Sequence, residues 1–472
     1  MYLFMDLTIS KLHESFIHKE FSVAEFTKDL LGKIRKMNPH YHMYLTITDD
    51  EALEKAQMVD SKIALGGKVP MLTGIPFSAK DIFVIKDVRT TASSRVLENY
   101  EGQYTATAVK KLLDAGAILV GKTNNDAWGH GSSTENSDFG PTKNPWNASY
   151  VSGGSSGGSA ASLAAGLASF SLAEDTGGSI RQPANYCSVV GLKVTYGRVS
   201  RYGAIAFASS LDTVGPMTHT VEDCALVLSE IAGKDTHDAT SLPSKVPDYL
   251  KNLKKPIKGT KIGLPKEYFG SGLDAETKAA IMQAAKKYES LGCEIIELSL
   301  PATDDAINTY YIISPSETSS NLARYDGIRY GNDRSFFGSE AKRRMMIGTY
   351  ALSSGYYDAY YKKAMQVRTL VRKDFEKAFA TVDVMLAPVT PTPPFQFGEK
   401  VDDPVAMYLG DVYTVPINLA GVPSLALPCG FTKSNLPIGM QLIGPQLSEE
   451  RLLQIGYAYE QVTEWHKKKP TI

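Results

Sequence analysis

Two serines lie in glycine-rich settings 24 residues apart: Ser155 within Ser152-Gly-Gly-Ser-Ser-Gly-Gly158 and Ser179 within Asp175-Thr-Gly-Gly-Ser-Ile-Arg181. Glycines allow close backbone approach and positive φ, and they leave consecutive N–H groups free to line a concavity. A serine hydroxyl beside such donors suits acyl transfer, because the tetrahedral intermediate carries an oxyanion that fixed N–H groups stabilise. Taken alone, 152–159 would read as a flexible Gly/Ser linker. The run that follows, Ser159-Ala-Ala-Ser-Leu-Ala-Ala-Gly-Leu-Ala168, argues otherwise, since it reads as a helix with a surface small enough for very close packing. A phosphate-binding loop is excluded, because no Gly-Lys-[Ser/Thr] follows the glycines.

Arg181-Gln-Pro-Ala-Asn-Tyr186 carries a proline suited to the first turn of a helix. Thr176, Gly177, Gly178 and Ser179 then fall just upstream, where unpaired N–H groups gather and the helix dipole favours an anion. These four form a candidate oxyanion hole, with Ser179 as the candidate nucleophile. A serine nucleophile commonly has a histidine base, yet of the eight histidines only His130, in Trp128-Gly-His-Gly-Ser-Ser133, offers itself. A nucleophile elbow is not indicated, because the Gly-x-Ser-x-Gly match at Gly153–Gly157 lacks the preceding strand. The other available base is Lys80, at the end of the apolar run Met71–Lys80, where a strand would carry it inward. A surface lysine paired with Asp81 is the alternative, and strand geometry opposes it, because adjacent residues point to opposite faces. A lysine accepts a proton only as a neutral amine, and burial lowers lysine pKa values by up to ~3–5 units.

Gly74-Ile-Pro-Phe-Ser-Ala-Lys-Asp81, the Gly-Gly-Ser-Ser-Gly-Gly loop and Asp175-Thr-Gly-Gly-Ser-Ile-Arg-Gln-Pro-Ala184 resemble the amidase signature family, whose members hydrolyse amides with a Ser-cisSer-Lys triad. The separations of 75 residues from Lys80 to Ser155 and 24 to Ser179 match that family's pattern. The resemblance implies Lys80 as base, Ser155 as a bridging serine on a cis peptide, and Ser179 as nucleophile. Four further segments, Gly131–Ser137, Phe139–Trp146, Ser319–Gly331 and Gly355–Lys363, are similar to the glutaminase subunits of tRNA-dependent amidotransferases within that family. That similarity runs from about residue 7 to 462. It implies glutamine as substrate, with Arg344 for its α-carboxylate, Asp411 for its α-ammonium and Tyr310 beside them; sequence does not separate Tyr310 from Tyr311. It also implies two partners, the B and C subunits, of which the first works on Glu-tRNA(Gln) with ATP and Mg²⁺, and neither cofactor nor metal in this chain. A stand-alone amidase and a non-catalytic scaffold are the rival readings. Departures from the pattern fall at Asn125, Trp128 and His130, at the short stretch Asn332–Gly338, and at Ser152.

Composition fits a large soluble enzyme. The 472 residues are 43% hydrophobic, and 50 basic against 51 acidic residues give a net charge of −1. Such a balance has no bulk attraction for nucleic acid, so tRNA contact is expected to fall to a partner. Cys187, Cys224, Cys293 and Cys429 lie far apart, which indicates neither a zinc site nor a disulfide framework. Met1-Tyr-Leu-Phe-Met-Asp6 lacks the basic region of a leader, and no run approaches the ~20 apolar residues of a membrane span. A cytoplasmic enzyme is expected.

The elements that must position these residues alternate. Ser22-Val-Ala-Glu25 is a capping box for a helix reaching about Lys36. Ala106–Asp114 reads as helix, Gly116 as its stop and Ala117–Val120 as a strand. The same grammar returns at 275–299, with further strands at Val382–Leu386, Ser424–Leu427 and Ile438–Ile443 and a helix after Ser448. The expected fold is α/β. The resemblance implies one amidase-signature domain over 1–472 around a mixed sheet, with an N-terminal helical region, about 1–65, that docks a small partner. Residues of about 233–260, rich in Lys, Asp, Pro and Ser, read as an exposed connection between two halves of the sheet.

Overall fold

Strands covered by helices on both faces are buried along their whole length rather than on alternate residues, and Pro76–Lys80, Ile118–Thr123 and Phe170–Asp175 are buried at every position. The computed structural model describes residues 7–66, 69–328 and 331–472. The leader expectation at Met1–Asp6, and Arg329 and Tyr330 of the 319–331 segment, lie outside the described residues.

In chain order the strands are β1 Tyr44–Ile47, β2 Pro76–Lys80, β3 Ile118–Thr123, β4 Lys143–Asn144, β5 Asn147–Val151, β6 Phe170–Asp175, β7 Val190–Lys193, β8 Thr213–Thr218, β9 Lys261–Pro265, β10 Glu294–Leu298, β11 Val384–Pro388, β12 Ser424–Phe431 and β13 Pro437–Ile443. Among the described residues β4 and β5 form a hairpin. The rest make one mixed 11-stranded sheet in the order β1-β3-β2-β6-β8-β7-β12-β13-β11-β9-β10. Strands from before residue 233 fill one half of this order and strands from after 260 the other. The fold is the α/β sheet surrounded by helices that the sequence predicts.

The functional end of the sheet follows from three parallel neighbours. β2 pairs in parallel with β3 and with β6, so Lys80, Thr123 and Asp175 end their strands at one edge. Ligands of open α/β sheets bind outside such carboxyl ends. Stacked Phe77 and Phe170, with centroids 5.2 Å apart, fix β2 against β6 from below. Behind this edge lies the helix Gly157–Ala164. A Cβ on Gly158 would stand 2.5 Å from the carbonyl oxygens of Asn124 and Met43, so the absence of a side chain sets how closely the helix approaches.

Several expected boundaries shift. The small-residue helix starts two residues before Ser159 and stops at Ala164, because Gly166 turns at φ 68° to send the chain into β6. Of the run Met71–Lys80 only Pro76–Lys80 is strand; Gly74, at φ 82°, ends a turn before it. The capped helix runs past Lys36 to Tyr41. The connection 233–260 is only partly exposed: Tyr249, Leu253 and Ile257 are buried apolar anchors. The N-terminal region holds helices Ile9–Ile17, Val23–Tyr41 and Asp49–Ala64, but β1 interrupts them to join the sheet edge. All four cysteines are free and buried.

Asp81 does not pair with Lys80. It turns to the opposite face, where Lys122 of β3 donates to it at 2.9 Å and both side chains are fully buried. Removing one partner leaves an uncompensated buried charge, so Lys122→Met is expected to destabilise the protein by about 3–5 kcal/mol in urea denaturation. Adding Asp81→Asn should recover part of that loss.

Candidate active site

Lys80 leaves the end of β2 with no exposed surface. Its Nζ lies 2.6 Å from Ser155 Oγ and 3.1 Å from Glu174 Oε2. Ser155 follows a cis peptide after Gly154. The loop carrying it is held from three sides. Asp126 N–H donates to the Ser155 carbonyl at 3.1 Å, Gly154 N–H donates to Gln182 Oε1 at 2.8 Å, and Ser156 N–H reaches the Ser179 carbonyl at 3.3 Å. That last bond ties the two glycine-set serines together. Burial raises the Asp126 carboxyl to about 7, although it accepts the N–H groups of Thr134 and Asn136.

Ser179 sits between β6 and the helix Arg181–Cys187. The anion at that helix start is the protein's own. Asp175 accepts the N–H groups of Gly178 at 2.9 Å and Ile180 at 3.1 Å, and it pairs with Arg181 at 3.1 Å. Burial alone would raise the Asp175 carboxyl, but the Arg181 charge and these donors hold it below the usual range. Of the four candidate oxyanion donors, Gly178 is therefore already engaged, and Thr176, Gly177 and Ser179 are left. Gly177 is pinned from the other side, where Thr414 Oγ1 donates to its carbonyl at 2.6 Å.

A small pocket opens over Ser179, lined by Gly129, Gly131, Ser132, Gly177, Phe207, Tyr310, Tyr311, Arg344 and Asp411. It collects residues from distant parts of the chain. Arg344, 3% exposed, comes from the helix Ser339–Leu352, pairs through Nε with Glu340 at 2.8 Å and lies within cation–π range of Phe207, Tyr311 and Tyr408. Asp411 accepts from Ser132 Oγ at 3.0 Å and from Tyr311 OH at 2.9 Å. Burial raises its carboxyl to about 6 despite both bonds. The tyrosines divide the work: Tyr311 bonds Asp411 and stacks on Tyr408 with centroids 3.8 Å apart, whereas Tyr310 leans over Gly177.

His130 is not placed as a base for either serine. Its Nε2 lies 3.3 Å from Thr318 Oγ1 and its ring packs edgewise on Phe207; burial, and then the Arg344 charge, lower its pKa. Trp128 points away from the pocket, between Tyr325 and Phe337. Asn125 donates to the Asp126 carbonyl at 2.6 Å. Sequence reasoning missed Glu174, Ser132, Glu340 and Tyr408. Only Glu174 left a signal, as one of two consecutive carboxylates ending an apolar strand. Among the described residues no group of three or more His, Cys, Asp or Glu could hold a metal ion, and no helix is long and apolar enough to cross a membrane.

A serine beside a lysine on the carboxyl end of a parallel pair, with a second serine in the adjoining pocket, is an arrangement fit for amide hydrolysis through serine. The family pattern described as Amidase matches residues 25–453. The A subunit of glutamyl-tRNA(Gln) amidotransferase from Geobacter metallireducens is 53% identical over 482 residues, 99% of each chain. The crystal structure of the A subunit of glutamyl-tRNA(Gln) amidotransferase from Thermotoga maritima aligns at a TM-score of 0.82 with 38% identity, covering 97% of this chain and 95% of its own. A bacterial aryl acylamidase of the amidase signature enzymes aligns at 0.88 with 26% identity over 99% of both chains. This chain belongs to the amidase signature family.

A Cβ on Gly177 would stand 2.6 Å from the Tyr310 hydroxyl and 2.7 Å from its ring carbon. Gly177→Ala should displace that buried ring into the pocket, cost about 1–3 kcal/mol by overpacking, and lower kcat/KM for amide hydrolysis by at least ~10-fold through the disturbed positioning. Thermal melts alongside steady-state rates check both parts.

Proposed function

We propose that this chain is the glutamine-hydrolysing subunit of a tRNA-dependent amidotransferase and that Lys80, Ser155 and Ser179 carry its chemistry. The observation that carries the reading is one pocket holding the Ser179 residue together with a guanidinium and a carboxylate. An α-amino acid headgroup requires that pair: Arg344 for its carboxylate, Asp411 for its ammonium. Tyr310 and Tyr311 form the wall beside them, with Tyr311 orienting Asp411. Full-length similarity to the glutaminase subunits of amidotransferases supports the same substrate over that of a stand-alone amidase, which would use the same triad without needing both charged groups.

Lys80 as a neutral amine takes the proton of Ser155, which takes that of Ser179 as its oxygen attacks the side-chain amide of glutamine. The N–H groups of Thr176, Gly177 and Ser179 are the candidates for the oxyanion. The proton returns through Ser155 to the leaving ammonia, and water then releases glutamate from the acyl-serine. In this reading the ammonia passes to a B subunit that uses ATP and Mg²⁺ to convert Glu-tRNA(Gln) to Gln-tRNA(Gln). The cytoplasmic complex is completed by a C subunit, and this chain contributes no cofactor or metal.

Ser179→Ala should lower glutamine hydrolysis by at least ~10³-fold, as loss of a covalent nucleophile does. In the assembled complex the same variant should still form Gln-tRNA(Gln) when ammonium replaces glutamine. Loss with both nitrogen donors would show that this chain also serves the synthetic step.

The Asp411 carboxyl, raised to about 6, is ionised above that pH and protonated below it. An ammonium group binds only the ionised form, so kcat/KM for glutamine should fall by about tenfold per pH unit below that point through a rising KM. Asp411→Asn should remove this dependence along with tight binding; a KM indifferent to both changes would reject Asp411 as the ammonium partner.

A further inference from the structure

The side of Lys80 away from Ser155 meets a chain of buried groups that the triad does not use. Lys80 Nζ pairs with Glu174 Oε2 at 3.1 Å. The other oxygen of that carboxyl touches Thr176 Oγ1, and the same hydroxyl lies 2.8 Å from Asp212 Oδ1. All four side chains are buried, Asp212 being the most exposed at 5%. A threonine hydroxyl has one proton and donates it once. Two ionised carboxylates on that hydroxyl would leave one oxygen–oxygen contact without a proton, in a dry site where unpaired charge is costly. One of the two carboxyls therefore holds a proton and donates it to Thr176. Asp212 accepts the Phe207 N–H at 3.0 Å and the Ala208 N–H at 2.9 Å, one on each oxygen, so its position is fixed in either state.

We propose that Glu174, Thr176 and Asp212 form a proton relay that takes the ammonium proton of Lys80 and stores it on Asp212, leaving Lys80 to face Ser155 as an amine. This rests on the reading of Lys80 as the base. Relay begins with Lys80 charged, Glu174 protonated on Oε1 and Asp212 ionised. A Lys80 N–H bond breaks as an O–H bond forms on Glu174 Oε2; the Oε1 proton passes to Thr176 Oγ1; the proton of Thr176 passes to Asp212 Oδ1. Three bonds break and three form, a buried ion pair becomes neutral with no proton drawn from solvent, and rotation about Cε–Nζ turns the freed lone pair from Glu174 to Ser155 Oγ. Low dielectric favours that outcome. Burial raises the Asp212 carboxyl, in the direction storage requires. The other groups that face the relay are Asp126 beside Lys80, Arg201 near Asp212 and the Tyr310 phenol near both carboxyls. The side chains of Glu174, Thr176 and Asp212 act on the amide only through Lys80, so in the relay they are positioning groups.

The experiment measures kcat against pH for ammonia release by the whole protein at saturating glutamine, where the Asp411 effect on KM drops out, with the rate of serine sulfonylation by phenylmethanesulfonyl fluoride as a second readout. Removing a nearby negative charge by itself makes an ammonium easier to deprotonate. Loss of the proton store does the opposite. Asp212→Asn and Thr176→Val are each expected to move the rising acidic limb to higher pH by at least about one unit, a tenfold loss on that limb, while Thr176→Ser, which keeps the hydroxyl, leaves the limb at the wild-type pH whatever its effect on the rate. Limbs that stay in place or move to lower pH overturn the relay. If Asp212→Asn does not fold, the Val and Ser variants at Thr176 decide the matter. Absence of wild-type glutamine hydrolysis would sink the proposed function instead, and the sulfonylation profile would still test the relay. Equal labelling of Ser179→Ala would withdraw the nucleophile assignment separately.

Discussion

An amine buried at the end of a strand must satisfy its hydrogen bonds and its charge without water. Lys80 meets this constraint with Ser155 at 2.6 Å on one side and Glu174 at 3.1 Å on the other. The contact with Ser155 depends on the loop that carries the serine, and the loop at 152–158 is entirely buried. Its hydrogen bonds run to Asp126, Gln182 and the Ser179 carbonyl, so the position of one serine is coupled to that of the other. Glycine makes this possible, because a Cβ on Gly154 would meet Asp126 Oδ2 at 2.1 Å.

Near the same end of the sheet, two other buried basic side chains each have their own carboxylate. Lys122 takes Asp81, and Arg181 takes Asp175. Leaving any such charge alone would be expensive, and separate partners keep Glu174 available to Lys80. Strand alternation sorts them: Lys80 and Asp81 are consecutive and diverge, as do Glu174 and Asp175. Asp175 has a second effect. By accepting the N–H groups ahead of the helix Arg181–Cys187 it takes the favourable end of the helix dipole, so that helix start is already occupied by the protein's own carboxylate.

In the pocket, polarity is arranged around two charges that do not neutralise each other. Arg344 is held by Glu340 among the rings of Phe207, Tyr311 and Tyr408, and Asp411 is held by Ser132 and Tyr311. Tyr311 touches both arrangements. A change at that ring would reach the cationic and anionic ends of the pocket together.

The sequence by itself determined the α/β class, the motif residues and the direction of Lys80. Glycine runs, apolar strands and capping boxes are local signals, written within a few consecutive residues. Lys80 could be turned from Asp81 by strand alternation alone, and Ser155 could be told from a linker serine by the small-residue run behind it. Tertiary structure decided what those residues touch. Glu174 became the partner of Lys80 because β2 and β6 are parallel neighbours, a pairing across 94 residues that no local pattern encodes. Gly178 lost its place among the free donors to Asp175, and His130 turned to Thr318, because hydrogen bonds compete in space and not along the chain. Asp212 reached Thr176 only because β8 runs antiparallel to β6 and brings its start against the end of its neighbour. Side-chain type is a property of the sequence, but a proton path or a charge pair is a property of distance, and only the assembled sheet sets the distances.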